Sequence, residues 1–208
     1  MILETVALSL ALTCSSAAAQ PGELVERTLA IVGGQVITLS DVRTATALGL
    51  VESAPTTPMD AAVSQLVDRL LVLREVQRYL PQEPEVAQIE SELDGVRRRF
   101  ASPDLLIAVL EAGGFSETRL RTWIRDDLRI AAYLGQRFAA VGVPGDEEVS
   151  AYYASHREEF ERQQLAFDAA AVVIRARLSS ERRAQLIADW ILELRRRTPI
   201  LEPWKATG

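Results

Sequence analysis

Apolar residues along most of the chain recur every three or four positions, which is the spacing of one face of an α-helix. This pattern predicts a succession of amphipathic helices between residues 40 and 197. The start of the chain differs, because the short apolar runs TLAIV and QVI flank Gly33 and Gly34. A Gly-Gly connection between two such runs is typical of a β-hairpin, which we expect over residues 28–39.

The predicted hairpin requires a partner elsewhere in the chain. A lone two-stranded hairpin is marginal in water and needs a further strand or a helix to pack on. Residues 199–204, PILEPW, read as a short extended segment, and their prolines are compatible with an edge strand. We therefore predict a mainly α fold in which this C-terminal strand joins the N-terminal hairpin in a small antiparallel sheet.

Capping residues mark the starts of several predicted helices. Thr38 and Asp41 form a capping-box pattern at the start of a short first helix. Ser102, followed by proline, starts another short helix that is expected to stop at Gly113. Ser116 then caps a long helix.

Two further helical segments follow in the C-terminal third. Residues 146–161 are predicted to form one helix. Residues 165–197 contain neither glycine nor proline, but their apolar stripe is interrupted at residues 179–183. That stretch is compatible with one long helix or with two helices joined at Ser179 and Ser180.

Residues 1–19 have the pattern of a cleaved signal peptide. A short apolar segment is followed by Ala17 and Ala19, which satisfy the small-residue cleavage rule, although the usual basic residue before the segment is missing. The segment is too short to span a bilayer as a helix. We expect a periplasmic or otherwise exported protein of residues 20–208 without stable membrane insertion. Cleavage near Ala19 also removes Cys14, whose preceding residues match a lipidation signal poorly.

Composition narrows the functional classes. The chain has 208 residues, of which 48% are hydrophobic, enough for the core of one domain. Its net charge of −6 gives no electrostatic support for nucleic-acid binding. His156 is the only histidine and Cys14 the only cysteine, and no Gly-rich phosphate loop, zinc motif or Ser-centred elbow is present. The sequence therefore predicts no catalytic residue, no cofactor and no metal site.

A set of positions along the chain matches the pattern of a known protein family in identity and order. These positions are residues 30–32 (AIV), 36–42 (VITLSDV), Leu66, Leu70, Leu71, 123–128 (WIRDDL), Val149, Tyr152, Tyr153, Glu159, Phe160, Phe167, Ile174, Leu178 and 190–200. In their order they resemble the SurA-type periplasmic chaperones and their parvulin-like prolyl isomerase relatives. The resemblance covers nearly the whole mature chain, and its specificity lies in the order of the motifs.

One departure from the family pattern concerns catalysis. Parvulin-containing members carry a rotamase module between the two helices that here end and begin near Phe160 and Phe167. Only residues 161–166 separate these positions, too few for a β-rich module. The family's catalytic histidines have no counterpart either. The resemblance therefore implies the chaperone domain over residues 20–208 without the isomerase insert.

What the resemblance implies is an ATP-independent holdase that binds unfolded or extended polypeptides in the biogenesis of secreted or outer-membrane proteins. Two alternatives stay open: a prolyl isomerase by family membership, and a non-catalytic assembly protein with one dedicated partner. A homodimer that exchanges a terminal element is also compatible with the sequence. Trp123, Tyr133, Tyr152 and Tyr153 are candidates to line a client groove, but they are better explained as core aromatics, so no site residue is assigned.

Overall fold

The structure is a computed structural model that describes residues 26–52, 58–79, 81–140 and 142–207. The predicted signal peptide, residues 1–19, lies outside the described residues. Within them the chain forms eight α-helices and one three-stranded antiparallel sheet, so the predicted mainly α fold with a small sheet is confirmed.

Two strands come first in the described chain, the helices follow, and a third strand lies near its end. The strands are β1 (Thr28–Val32), β2 (Gln35–Thr38) and β3 (Ile200–Leu201). The helices are α1 (Leu39–Ala47), α2 (Pro58–Tyr79), α3 (Val86–Arg97), α4 (Pro103–Ala112), α5 (Glu117–Arg137), α6 (Asp146–Ser155), α7 (Arg157–Arg162) and α8 (Phe167–Arg197), with a final 3-10 helix over Pro203–Thr207.

The sheet joins the two ends of the described chain. Its strand order is β2-β1-β3, and both pairs are antiparallel. Ile31 lies opposite Leu201, and the amide of Gly33 donates to the carbonyl of Pro199 at 3.0 Å. The predicted pairing of the C-terminal strand with the N-terminal hairpin is therefore confirmed.

Both predicted strand segments are longer than the observed ones. The C-terminal strand was expected over residues 199–204 but covers only Ile200–Leu201, because Pro203 lacks the N–H that a ladder needs and starts a 3-10 helix instead. The hairpin ends at Thr38 rather than at residue 39, because Thr38 is already the N-cap of α1.

Three predicted helix starts are confirmed by their hydrogen bonds. The hydroxyl of Thr38 accepts from the amide of Asp41 at 3.2 Å, and the Asp41 carboxylate accepts from the amide of Thr38 at 3.0 Å, which completes the capping box. The hydroxyls of Ser102 and Ser116 accept backbone amides in the first turns of α4 and α5.

Residues 146–161 form two helices, so the prediction of one helix is wrong. His156 separates α6 from α7 with φ −117° and ψ 23°. Its ring stacks on Tyr152 at 4.0 Å between centroids, and its Nδ1 lies 3.0 Å from the Tyr152 carbonyl oxygen. The apolar spacing continues across this break, which is why the pattern alone did not reveal it. The stretch after it is one helix, because Ser179 and Ser180 lie inside α8.

Buried side chains form three clusters. The first lies between the sheet, α1, α2, the end of α5 and the C-terminal part of α8, and the second between α3, α4 and the start of α5. The third joins α6, α7 and the N-terminal part of α8. We call the elements around the first two clusters the body, and α6, α7 and residues 167–183 the arm.

Helix α8 connects the arm to the body. Its 31 residues correspond to about 46 Å at the α-helical rise. Ile174 is buried in the arm and Leu194 in the body, whereas most side chains over residues 179–189 are exposed. Ion pairs of Arg182 with Glu148 and of Arg177 with Glu159 fasten α6 and α7 to α8.

Replacing Gly33 by alanine is expected to lower the free energy of unfolding by about 1–2 kcal/mol. Gly33 has φ +51°, and an added Cβ would lie 1.9 Å from Nη1 of Arg74, which donates to the Gly33 carbonyl at 2.7 Å. Gly135→Ala is the control, because Gly135 lies inside α5, its surroundings are open and its φ is not in the left-handed region. Urea unfolding should show a loss of stability for Gly33→Ala and none for Gly135→Ala, and an equal or larger loss at Gly135 would contradict this interpretation.

Acid is expected to loosen the arm. The hydrogen bond from Arg177 lowers the pKa of Glu159 below its ordinary value of 4.5. A carboxylate whose pKa is lower in the folded state stabilises the fold above the unfolded value, and this contribution is lost as pH falls through the folded value. Amide protection of α7, corrected for intrinsic exchange, should therefore fall as pH drops below about 4.5. Glu159→Gln should remove this dependence while the exposed neighbour Glu158→Gln keeps it; equal behaviour of both variants would refute the prediction.

Candidate functional site

Helix α4 has six consecutive apolar residues between Asp104 and Glu111. Residues 105–110 read LLIAVL, and Leu106 and Leu110 point into the second cluster. On the two flanks of this buried stripe, about 200° apart around the helix axis, Leu105 is 52% exposed and Ile107 is 49% exposed. These two exposed flanks of α4, which we call the α4 face, are apolar surface that the described chain leaves uncovered.

A hollow of about 280 Å³ borders the α4 face, between α1 and α4. The close approach of the two helices behind it depends on Gly113, where a Cβ would lie only 1.7 Å from the hydroxyl oxygen of Thr44. The hollow is lined by Ser40, Arg43, Thr44, Ala47, Val109, Ala112 and Gly113.

A larger hollow, of about 440 Å³, lies where α8 leaves the body. Its lining combines aromatic rings with two polar side chains of α5. We call it the aromatic hollow. It is lined by Tyr79, Pro81, Tyr133, Gln136 and Arg137.

Four aromatic rings form a continuous chain at this hollow. The ring centroids of Tyr79 and Tyr133 are 5.5 Å apart, and those of Tyr133 and Trp190 are 5.9 Å apart. Phe138 then packs edge-on against Trp190 at 5.8 Å. These distances are those of favourable aromatic pairs. Tyr79 is 63% exposed although Tyr133 beneath it is buried, so the chain of rings ends in an aromatic surface open to solvent.

Arg137 lies on the aromatic rings at the edge of the hollow. Its guanidinium carbon is 4.9 Å from the ring centroid of Trp190 and 5.6 Å from that of Phe138. Burial raises the pKa of Tyr133, and the nearby Arg137 opposes that shift. The Tyr133 hydroxyl therefore stays protonated at neutral pH and can donate as well as accept a hydrogen bond.

An exposed stripe on α8 extends from the hollow along the arm. Positions 172, 176, 179, 183, 186 and 190 recur every three or four residues and therefore share one side of the helix. Trp190 packs on the body at one end of this side, whereas Leu186 is 46% exposed and Val172 is 67% exposed. Helices α6 and α7 pack on the other side of α8, against Ala170 and Ile174.

The four aromatic residues considered from sequence lie in different places. Trp123 is half-buried beneath Arg69, whose guanidinium carbon is 3.7 Å from the indole centroid, in a small pocket beside β2. Tyr133 lines the aromatic hollow. Tyr152 and Tyr153 belong to the arm, where the Tyr152 hydroxyl accepts from Arg177 at 2.8 Å and the Tyr153 ring stacks in the third cluster.

Sequence reasoning did not single out Tyr79, Phe138, Trp190 or the outer residues of α4 as site residues. The three aromatic residues lie on or beside α2, α5 and α8, so no local spacing connects them. For α4 a signal was present, because six consecutive apolar residues exceed what one buried helix face requires.

The described residues contain no group of three or more His, Cys, Asp or Glu side chains placed to hold a metal ion. Among the same residues, no helix has the length and hydrophobicity needed to cross a membrane. Two arginines of the basic run over residues 97–99 make structural contacts. Arg97 pairs with Asp94 and Glu117, and Arg99 donates to the carbonyls of the two residues that follow α1.

The α4 face and the aromatic hollow are thus two exposed apolar features that can receive side chains of another molecule. In the first hollow the hydroxyl of Ser40 donates to the carboxylate of Glu26 at 2.9 Å. A scan against protein-family models finds no family that matches the chain. A search of curated proteins finds no match either.

Proposed function

We propose that this protein is an ATP-independent periplasmic chaperone of the holdase type, which binds unfolded or extended polypeptides during the biogenesis of secreted or outer-membrane proteins. The observation that carries the proposal is the exposed apolar surface of α4 and the aromatic hollow. Large exposed apolar patches on soluble proteins mark sites of contact with other molecules. The resemblance of the chain to SurA-type chaperones supports the same function.

Binding energy for a client would come from the burial of its apolar side chains. Burying one large apolar side chain contributes about 1.5–3 kcal/mol. A micromolar complex requires roughly 8 kcal/mol, in addition to the entropy lost on association. We therefore expect one client to occupy the α4 face and the aromatic hollow together, through several weak contacts that separate without an energy source.

Prolyl isomerase activity is the alternative that family membership suggests. The link between α7 and α8 consists of residues 163–166, with Gln164 at a φ of +56°. No catalytic module lies in this link, so we expect a proline-limited refolding assay to show no acceleration. A clear rate increase would overturn this part of the proposal.

Light scattering by an unfolded β-barrel protein diluted out of denaturant tests the holdase proposal. The protein should suppress aggregation at about a stoichiometric ratio without nucleotide, because the client's apolar side chains stay covered. Serum albumin at the same mass concentration is the control. No suppression would contradict the proposal. Suppression for one client and none for two unrelated unfolded proteins would instead indicate an assembly protein with one dedicated partner.

A further inference from the structure

Arg137 differs from most arginines of the described chain in its lack of a carboxylate partner. Its polar contact is a 3.4 Å hydrogen bond to the hydroxyl of Tyr133. Within the described residues no ion pair includes it, whereas fourteen other arginines are paired with Asp or Glu. These are Arg69, Arg78, Arg97, Arg119, Arg121, Arg125, Arg129, Arg157, Arg175, Arg177, Arg182, Arg195, Arg196 and Arg197.

The charges near the aromatic hollow are predominantly positive. Glu75 lies close enough to Tyr133 to contribute to the raised pKa of its hydroxyl. Two arginines, Arg78 and Arg197, share that single carboxylate at 2.8 Å and 3.1 Å. The two arginines outweigh the charge of Glu75, and Arg137 in the lining of the hollow adds a further positive charge. An anionic group of a ligand is favoured here over a cationic one.

The position of Arg137 on the rings determines which anion it can take. A guanidinium that lies over Trp190 and Phe138 keeps its N–H groups available in the plane of the fork, where a carboxylate binds with two parallel hydrogen bonds. The exposed ring of Tyr79 lies across the same hollow and offers a stacking surface for an aromatic side chain. One site thus combines an aromatic surface with a carboxylate receptor.

We propose that the aromatic hollow selects extended polypeptide segments in which an aromatic residue is adjacent to an aspartate or glutamate. The aromatic side chain packs on Tyr79 and Tyr133, and the neighbouring carboxylate pairs with Arg137. This inference rests on the proposed function, because it defines which client segments the hollow binds. The gain from the ion pair is modest, since Arg137 is exposed to solvent.

Two short peptides that differ in one residue test this selectivity. Both peptides have blocked termini and contain one tryptophan. The residue after the tryptophan is Asp in one peptide and the isosteric Asn in the other. Fluorescence anisotropy of a terminal label should show about fivefold tighter binding of the Asp peptide, the factor that an exposed ion pair of about 1 kcal/mol gives. The preference should shrink in about 0.5 M NaCl, where the Debye length is only a few ångströms.

Variants locate the preference at Arg137. Arg137→Gln should bind the two peptides equally, whereas Arg98→Gln, the same charge change at an exposed position after α3, should keep the fivefold ratio. Tyr79→Ala should weaken both peptides by the same factor. Equal and measurable binding of both peptides to the wild-type protein would overturn this inference and leave the proposed function intact. If neither peptide binds, the hollow is not a site for such segments and the inference fails, whereas the aggregation assay with a whole unfolded client decides the proposed function separately.

Discussion

Replacing Phe160 by alanine is expected to unfold the arm while the body stays folded. Phe160 is 1% exposed, and its ring lies 5.4 Å from that of Tyr153 in the third cluster. Loss of a buried Phe side chain costs about 3–5 kcal/mol. The fully buried part of this cluster comprises only five residues, four of them alanine, valine or isoleucine, so the remaining contacts are too few to compensate. Because the body has its own clusters, the loss falls on the arm.

Hydrogen exchange measured by mass spectrometry checks this prediction. Peptides from α6 and α7 should lose protection in Phe160→Ala, while peptides from α2 keep theirs. Phe167→Ala is the control, because Phe167 belongs to the same arm but is 41% exposed. It should leave most of the protection in place. A uniform loss across α2 and α7 would show that arm and body unfold as one unit and would contradict the division into two parts.

Replacing Tyr79 by alanine is expected to raise the chaperone concentration needed for half-maximal suppression of aggregation by about tenfold. Truncation of a central aromatic side chain in a binding site costs about 2 kcal/mol or more of binding free energy. We expect a smaller loss here, because the client also binds at other surfaces of the protein. Tyr79 is 63% exposed, so the substitution should change the free energy of unfolding little.

Val86→Ala provides the matched control for Tyr79→Ala. Val86 is 72% exposed on α3 and is not among the residues that line the aromatic hollow, so its truncation should leave the suppression curve unchanged. Urea unfolding of both variants verifies that neither has lost stability. Equal suppression by the wild-type protein and Tyr79→Ala would show that clients do not use the hollow.

The parts of the fold that local chemistry determines were predictable. The Gly33–Gly34 turn, the cap at Thr38 and the caps at Ser102 and Ser116 each depend on a few adjacent residues, and each prediction was confirmed. The C-terminal strand was a longer-range inference. It succeeded because a lone hairpin requires a partner and the chain offers one extended segment near its end.

The features that depend on contacts between distant residues were not predictable. The break at His156 is stabilised by the stacking of its ring on Tyr152, which the apolar periodicity does not encode. The division into body and arm arises because α6 and α7 pack on the N-terminal part of α8, whereas the body packs on the opposite side of its C-terminal part. The aromatic hollow assembles Tyr79, Phe138 and Trp190 from three parts of the chain, and sequence spacing carries no information about their proximity.

Hydrogen exchange of the protein with and without an unfolded β-barrel client tests the central claim most directly. The account predicts that the client increases protection around Tyr79, at the end of α5 and over residues 186–190, and on the exposed side of α4 around Ile107. Peptides from α7, whose apolar side chain is already buried, should not change. Protection confined to other surfaces, or none at all with the client bound in excess, would contradict the claim that these two apolar surfaces hold unfolded polypeptides.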